Sequence, residues 1–106
     1  MMERVTWKAK LKPGKKAEYI KRHDEIWPEM TAMLNEAGIH NYTIWCVDDE
    51  LFGYYEAEKG AAFAAKIQAG AEITAKWNEA MKELMDMAMD PKTGVAYKLE
   101  QVFFHQ

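Results

Sequence analysis

The sequence predicts an α+β domain in which an antiparallel sheet carries its helices on one face. Three observations predict it. Residues 4–12, 39–47, 51–57 and 97–104 alternate side chains at a period of two or concentrate β-branched and aromatic types, as strands do. Residues 17–37 and 59–89 instead repeat apolar side chains at steps of three and four, as amphipathic helices do. The resulting order is strand, helix, strand, strand, helix, strand, which is the split βαβ plan of ferredoxin-like folds.

Each element has its own reason. In residues 4–12, Val5, Trp7, Ala9 and Leu11 point one way and Arg4, Thr6, Lys8, Lys10 and Lys12 the other, giving a strand with one buried face. Pro13-Gly14 turns the chain into the first helix. There Ala17, Ile20, Trp27, Met30, Met33, Leu34 and Ala37 form one stripe, with a kink expected at Pro28 and a stop at Gly38. In the second strand Tyr42, Ile44 and Cys46 share one face, and Asn41, Thr43, Trp45 and Val47 the other. Asp48-Asp49-Glu50 is a polar turn that joins this strand to the next in a hairpin. Gly53 inside the third strand marks a bulge or a close backbone approach. Residues 59–69 are an alanine-rich helix that Gly70 ends or bends. Residues 71–89 read as a longer helix with Ile73, Trp77, Ala80 or Met81, Leu84, Met85 and Ala88 in its stripe. Asp90 to Gly94 is a loop, and residues 97–104 are the closing strand.

The totals set limits. A chain of 106 residues with 49% hydrophobic content suits one domain over residues 1–106 with a single core. A net charge of -3 gives no reason to expect nucleic acid as a partner. One cysteine, Cys46, cannot form an internal disulfide and suits a reducing cytoplasm. No run has the length and character of a signal peptide or a membrane span, so a soluble cytoplasmic protein with no membrane partner is expected. Helices on one face leave the other sheet face bare, yet aromatic residues occur on both. Two sheets packed face to face in a homodimer, a dimeric α+β barrel, would cover it.

The chemistry concentrates in residues 17–30. Tyr19 and His23 are four apart and therefore neighbours on a helix, and His23 lies between Ile20 and Trp27 in the apolar stripe. An inward histidine beside a tyrosine, with a tryptophan below and a broken helix, describes a small polar pocket in an apolar wall. The same three residues would also serve as ordinary core packing. No metal is expected, because His23, His40 and His105 are scattered without ligand spacing. No phosphate loop or dinucleotide fingerprint occurs, and no cofactor is expected. What remains is proton transfer by histidine, whose free pKa lies near neutrality, together with hydroxyl and ring binding by tyrosine and tryptophan. That set suits an isomerisation of a sugar-like molecule.

Four runs resemble one family. Tyr19-Ile20-Lys21-Arg22-His23 with Ile26-Trp27-Pro28-Glu29 is similar to its Tyr-x-x-Arg-His-x-x-Ile-Trp-Pro-Glu signature. Gly38-Ile39-His40-Asn41-Tyr42 resembles its Gly-x-His-Asn-Tyr run; Trp77 and Leu99 to Phe104 match more weakly. The family is L-rhamnose mutarotase, and the resemblance spans nearly the whole chain. It implies a dimeric ferredoxin-like isomerase that interconverts the α and β anomers of L-rhamnose or a related 6-deoxy sugar. By matching position it implies His23 as catalytic proton donor, and Tyr19, Tyr42, Trp77 and Asn78 as sugar-binding residues. The family commonly has two adjacent tryptophans where this chain has Trp77-Asn78, which bears on the choice of sugar. Two other classes share the architecture: a dimeric α+β barrel monooxygenase, haem-dependent or cofactor-free, and a small-molecule-binding module without catalysis.

Overall fold

Four strands and four helices follow one another in a computed structural model that describes residues 2–94 and 96–106. They are β1 (Glu3–Leu11), α1 (Lys16–Asp24), α2 (Pro28–Glu36), β2 (Ile39–Val47), β3 (Glu50–Ala57), α3 (Ala61–Gly70), α4 (Glu72–Met81) and β4 (Met85–Met87). The sheet order is β2-β3-β1-β4, and every neighbouring pair is antiparallel. This is the ferredoxin-like arrangement, with each helical position of the plan filled by two short helices. The core lies between the sheet and the helices. Ala9, Leu11, Leu51, Tyr55 and Ala57 from β1 and β3 meet Tyr19, Met30, Met33, Ala64, Trp77 and Met81 from the four helices. Among the described residues, no helix is long and apolar enough to cross a membrane.

The first helix does not merely kink at Pro28; it breaks. Pro28 occupies the first turn of α2, where its missing N–H has no partner to lose, and Trp27 before it is extended at φ -64°, ψ 139°. The Trp27 carbonyl then accepts from the N–H groups of Met30 and Thr31. Because α1 stops at Asp24, the stripe expected to run through 17–37 changes direction. Ala17 is exposed and Ile20 is 49% exposed, whereas Tyr19 is buried.

Of the two readings of Gly70, the structure has the helix end there: Gly70 is the last residue of α3 and Ala71 is extended. The helix that follows ends earlier than its stripe suggests. The chain leaves α4 at Met81, Leu84 enters the core, and residues 85–87 pair with β1 as β4. Satisfying the open backbone edge of β1 outweighs extending the helix, since an unpaired edge leaves N–H and C=O groups without partners. Residues 97–104 are consequently not the closing strand. They have no regular secondary structure and cross the sheet face opposite the helices. There the Leu99 N–H donates to the Thr6 hydroxyl at 3.2 Å, and the Arg4 guanidinium lies 4.4 Å from the centre of the Phe104 ring.

The hairpin has the geometry its sequence asks for. Asp48 and Asp49 both have positive φ, 49° and 65°, which is the two-residue turn that matches strand twist. The bulge, however, is in β2 rather than at Gly53. The register shifts between His40 and Thr43, and Asn41 sits at φ 50°. That extra residue keeps Ile39 and Tyr42 on the same, helix-facing side, together with Ile44 and Cys46. Gly53 is instead the site of a close approach, by the indole of Trp7.

Candidate active site

Helix α1 brings the proposed acid–base group to the core. Tyr19 and His23 stand one turn apart with ring centroids at 4.2 Å. Trp77, on α4, and the His23 ring stand edge to face at 5.2 Å and 86°, as do Trp27 and Trp77 at 5.2 Å and 89°. These are edge-to-face contacts that fix ring orientation as well as burying area. Helix α1 is held to α4 by Arg22, which the sequence reading passed over as part of a motif. Its Nη1 donates to the Ala80 carbonyl at 2.7 Å, and its Nε to the Glu18 carboxylate at 2.8 Å. Ala80 lies in the last turn of α4, where carbonyls lack intrahelical partners and attract cations. The Glu18–Arg22 spacing was the available sign of an ordered Arg22.

The His23 ring has a defined tautomer. Its Nδ1 lies 2.9 Å from the Tyr19 carbonyl, which can only accept, so Nδ1 carries the hydrogen. In the neutral ring Nε2 then has the free lone pair. Burial pulls the His23 pKa below its ordinary value, only partly opposed by the Tyr19 carbonyl and the Asp24 carboxylate. The ring is therefore neutral at neutral pH, with Nε2 ready to take a proton.

The tyrosines are in the opposite state. Burial, followed by the neighbouring Tyr42 and Cys46, pushes the Tyr19 phenol far above its ordinary range. Tyr42 is 37% exposed, yet its hydroxyl is sheltered, and burial pushes it up to about 12. Both phenols therefore keep their protons at neutral pH and have a hydrogen to donate. The Tyr42 ring rests against Tyr55 at 5.0 Å, and its hydroxyl accepts a 2.9 Å bond from the Trp7 indole N–H.

Of the residues expected at the site, Tyr19, His23 and Trp77 form one chain of ring contacts, while Tyr42 on the sheet contacts Tyr55 and Trp7. Trp77 is only 9% exposed. Asn78 is exposed on α4 and is not drawn into the ring cluster. A cleft of about 320 Å³ opens beside it, lined by Arg22, Glu25, Trp27, Trp77, Ala80 and Met81. A wider groove of about 640 Å³ is lined mainly by the charged side chains Lys12, Arg22, Lys76, Glu79, Lys82 and Glu83, and does not include the ring cluster.

A neutral, oriented imidazole against a protonated phenol and an indole, on a ferredoxin-like scaffold, is equipped to move a proton, and comparison with known proteins identifies the class. The L-rhamnose mutarotase family profile matches residues 4–105. An L-rhamnose mutarotase of Listeria monocytogenes is 43% identical over 105 residues, covering 97% of this chain and 98% of that protein. One of Mesorhizobium japonicum is 39% identical over 97% of each chain. The crystal structure of an L-rhamnose mutarotase from Formosa agariphila aligns with a TM-score of 0.76 at 32% identity, covering 98% of this chain and 99% of that one. The chain belongs to the L-rhamnose mutarotase family, whose members are anomer-interconverting isomerases. Membership decides for the mutarotase reading over the monooxygenase and binding-module readings.

Proposed function

We propose that this protein interconverts the α and β anomers of L-rhamnose, or of a closely related 6-deoxy sugar, with His23 moving the proton. The observation that carries the proposal is the 2.9 Å contact of His23 Nδ1 with the Tyr19 carbonyl, which leaves Nε2 as the one exchangeable position. Opening a pyranose hemiacetal requires the anomeric hydroxyl to lose a proton and the ring oxygen to gain one. These two oxygens share one carbon, so a single Nε2 can serve both. Neutral His23 takes the hydroxyl proton as the bond from C1 to the ring oxygen breaks and the C1 carbonyl forms. As imidazolium it then donates that proton to the ring oxygen. Rotation about C1–C2 exposes the other carbonyl face, and the reverse steps close the ring. Each turnover returns His23 to its neutral form, and no net proton or electron is consumed.

Tyr19 and Tyr42, held protonated, would donate hydrogen bonds to sugar hydroxyls. Trp77, beside His23, would pack against the sugar, and Asn78, the next residue on α4, would offer its amide to a sugar hydroxyl. A positioned acid–base group supplies about 10²–10⁴-fold in rate. His23→Asn retains shape and hydrogen bonding without the proton transfer. It should slow anomer exchange, measured by saturation-transfer NMR on L-rhamnose, by about 10²-fold or more. Exchange at the parent rate by folded His23→Asn protein would refute the assignment. We further propose that the protein works as a homodimer in the cytoplasm. Its open, aromatic sheet face supports the first point and its single free Cys46 the second.

A further inference from the structure

Trp7 belongs to β1 and Tyr42 to β2, and β3 lies between them. Neighbouring strands are about 4.8 Å apart, so the two side chains could not ordinarily meet over a normal residue. They meet because Gly53 of β3 has no side chain. A Cβ built there would collide with Cε2 and Nε1 of Trp7, so the indole occupies the space a side chain would take. Lying over Gly53, the indole delivers its N–H to the Tyr42 hydroxyl at 2.9 Å. The direction of that bond matters. Indole N–H donates and cannot accept, whereas a phenol has one hydrogen and two lone pairs. With Trp7 on one lone pair, the Tyr42 hydrogen must point away from Trp7.

We propose that Trp7, seated over Gly53, is a positioning residue for Tyr42: it holds the phenol oxygen in place and turns its hydrogen toward the bound sugar. The inference rests on Tyr42 binding the sugar, as proposed above. A net hydrogen bond is worth about 0.5–1.5 kcal/mol, which corresponds to roughly two- to tenfold in affinity.

The experiment is a double-mutant cycle read in sugar affinity by NMR titration, with kcat measured alongside. Trp7→Phe keeps a ring over Gly53 and removes the N–H. Benzothienylalanine at position 7 keeps the fused ring as well and serves if Trp7→Phe does not fold. Either should weaken L-rhamnose binding about three- to tenfold, with kcat changed less than twofold. In a Tyr42→Phe background the same change should alter affinity less than twofold. The Trp7 indole proton resonance of the parent, identified by its loss in Trp7→Phe, should move upfield in Tyr42→Phe. Equal effects of the Trp7 change with and without the Tyr42 hydroxyl would overturn the proposal, as would no effect at all. If Tyr42→Phe binds sugar like the parent while the parent still exchanges anomers, the assignment of Tyr42 as a sugar ligand falls and takes the proposal with it. If the parent neither binds nor exchanges L-rhamnose, it is the functional reading that fails.

Discussion

His23 is held neutral by burial, and this gives the activity a sign with pH. A proton on Nε2 of the free enzyme removes the lone pair that must accept the anomeric hydrogen. The exchange rate should therefore be level at neutral pH and fall as pH decreases through a value below the ordinary 6.5 of histidine. Stability moves the same way. Between the lowered folded pKa and about 6.5 the unfolded chain binds more protons than the folded one, so acidification across that window withdraws stability. A rate–pH profile whose inflection lies at or above 6.5, or whose rate rises on acidification, would contradict the neutral starting form. Asn78 carries the residue-scale prediction about the substrate. It stands one residue beyond Trp77, about 100° around the helix, and is exposed. Asn78→Trp restores the aromatic pair common in the family and should raise the ratio of exchange rates for L-rhamnose over fucose. An unchanged ratio in folded protein would place position 78 outside the site.

At the scale of elements, the bulge in β2 aims Tyr42. Without it, alternation from Ile39 would turn Tyr42 to the open face and bring Asn41 inward. The bulge depends on Asn41 at φ 50°, with its amide bonded to the Glu56 carboxylate at 2.8 Å. A β-branched residue is strained in that conformation. Asn41→Val should lower unfolding stability by roughly 1–2 kcal/mol and weaken sugar binding, whereas Asn41→Gly should keep both near the parent. Denaturant titration and NMR titration of the two variants decide it; equal behaviour would mean the bulge does not depend on residue 41. The strand faces of β1 and β2 and the stop at Gly38 were legible in the sequence, because period and turn chemistry are local. The bulge was not, since alternation alone reads Tyr42-Ile44-Cys46 correctly without revealing how Ile39 joins them. The splitting of both helices was only half legible. Pro28 and Gly70 were visible, but the early end of α4 was decided by the unfilled edge of β1, a tertiary demand. In the site, the Tyr19–His23 pair followed from helical spacing. Trp7 and Arg22 did not, because their partners at Tyr42 and Ala80 are 35 and 58 residues away.

For the whole molecule, the deciding feature is the sheet face away from the helices. Trp45 on β2 is 68% exposed, and Val47, on the same face, is also exposed. The terminal segment crosses this face through Thr6–Leu99 and Arg4–Phe104 contacts but leaves Trp45 open, and its own Phe103 is 80% exposed. A lone charged cover would be the usual way to keep such a face in water. Here Lys8, Lys10, Glu50 and Glu56 alternate with Phe52, Tyr54 and Trp45, so apolar area persists between the charges. Contiguous apolar patches beyond a few hundred Å² mark interaction sites, and stable interfaces bury about 800 Å² per partner. A second copy of the sheet would supply such a surface by two-fold symmetry and cover Trp45 on the outer strand β2. Sedimentation should therefore give twice the chain mass at micromolar concentration. Trp45→Glu places a charge on each side of the proposed interface and should shift the protein to monomer, with helical content retained by circular dichroism. A parent that sediments as a monomer, or a Trp45→Glu variant that remains dimeric, would remove the sheet face as the interface.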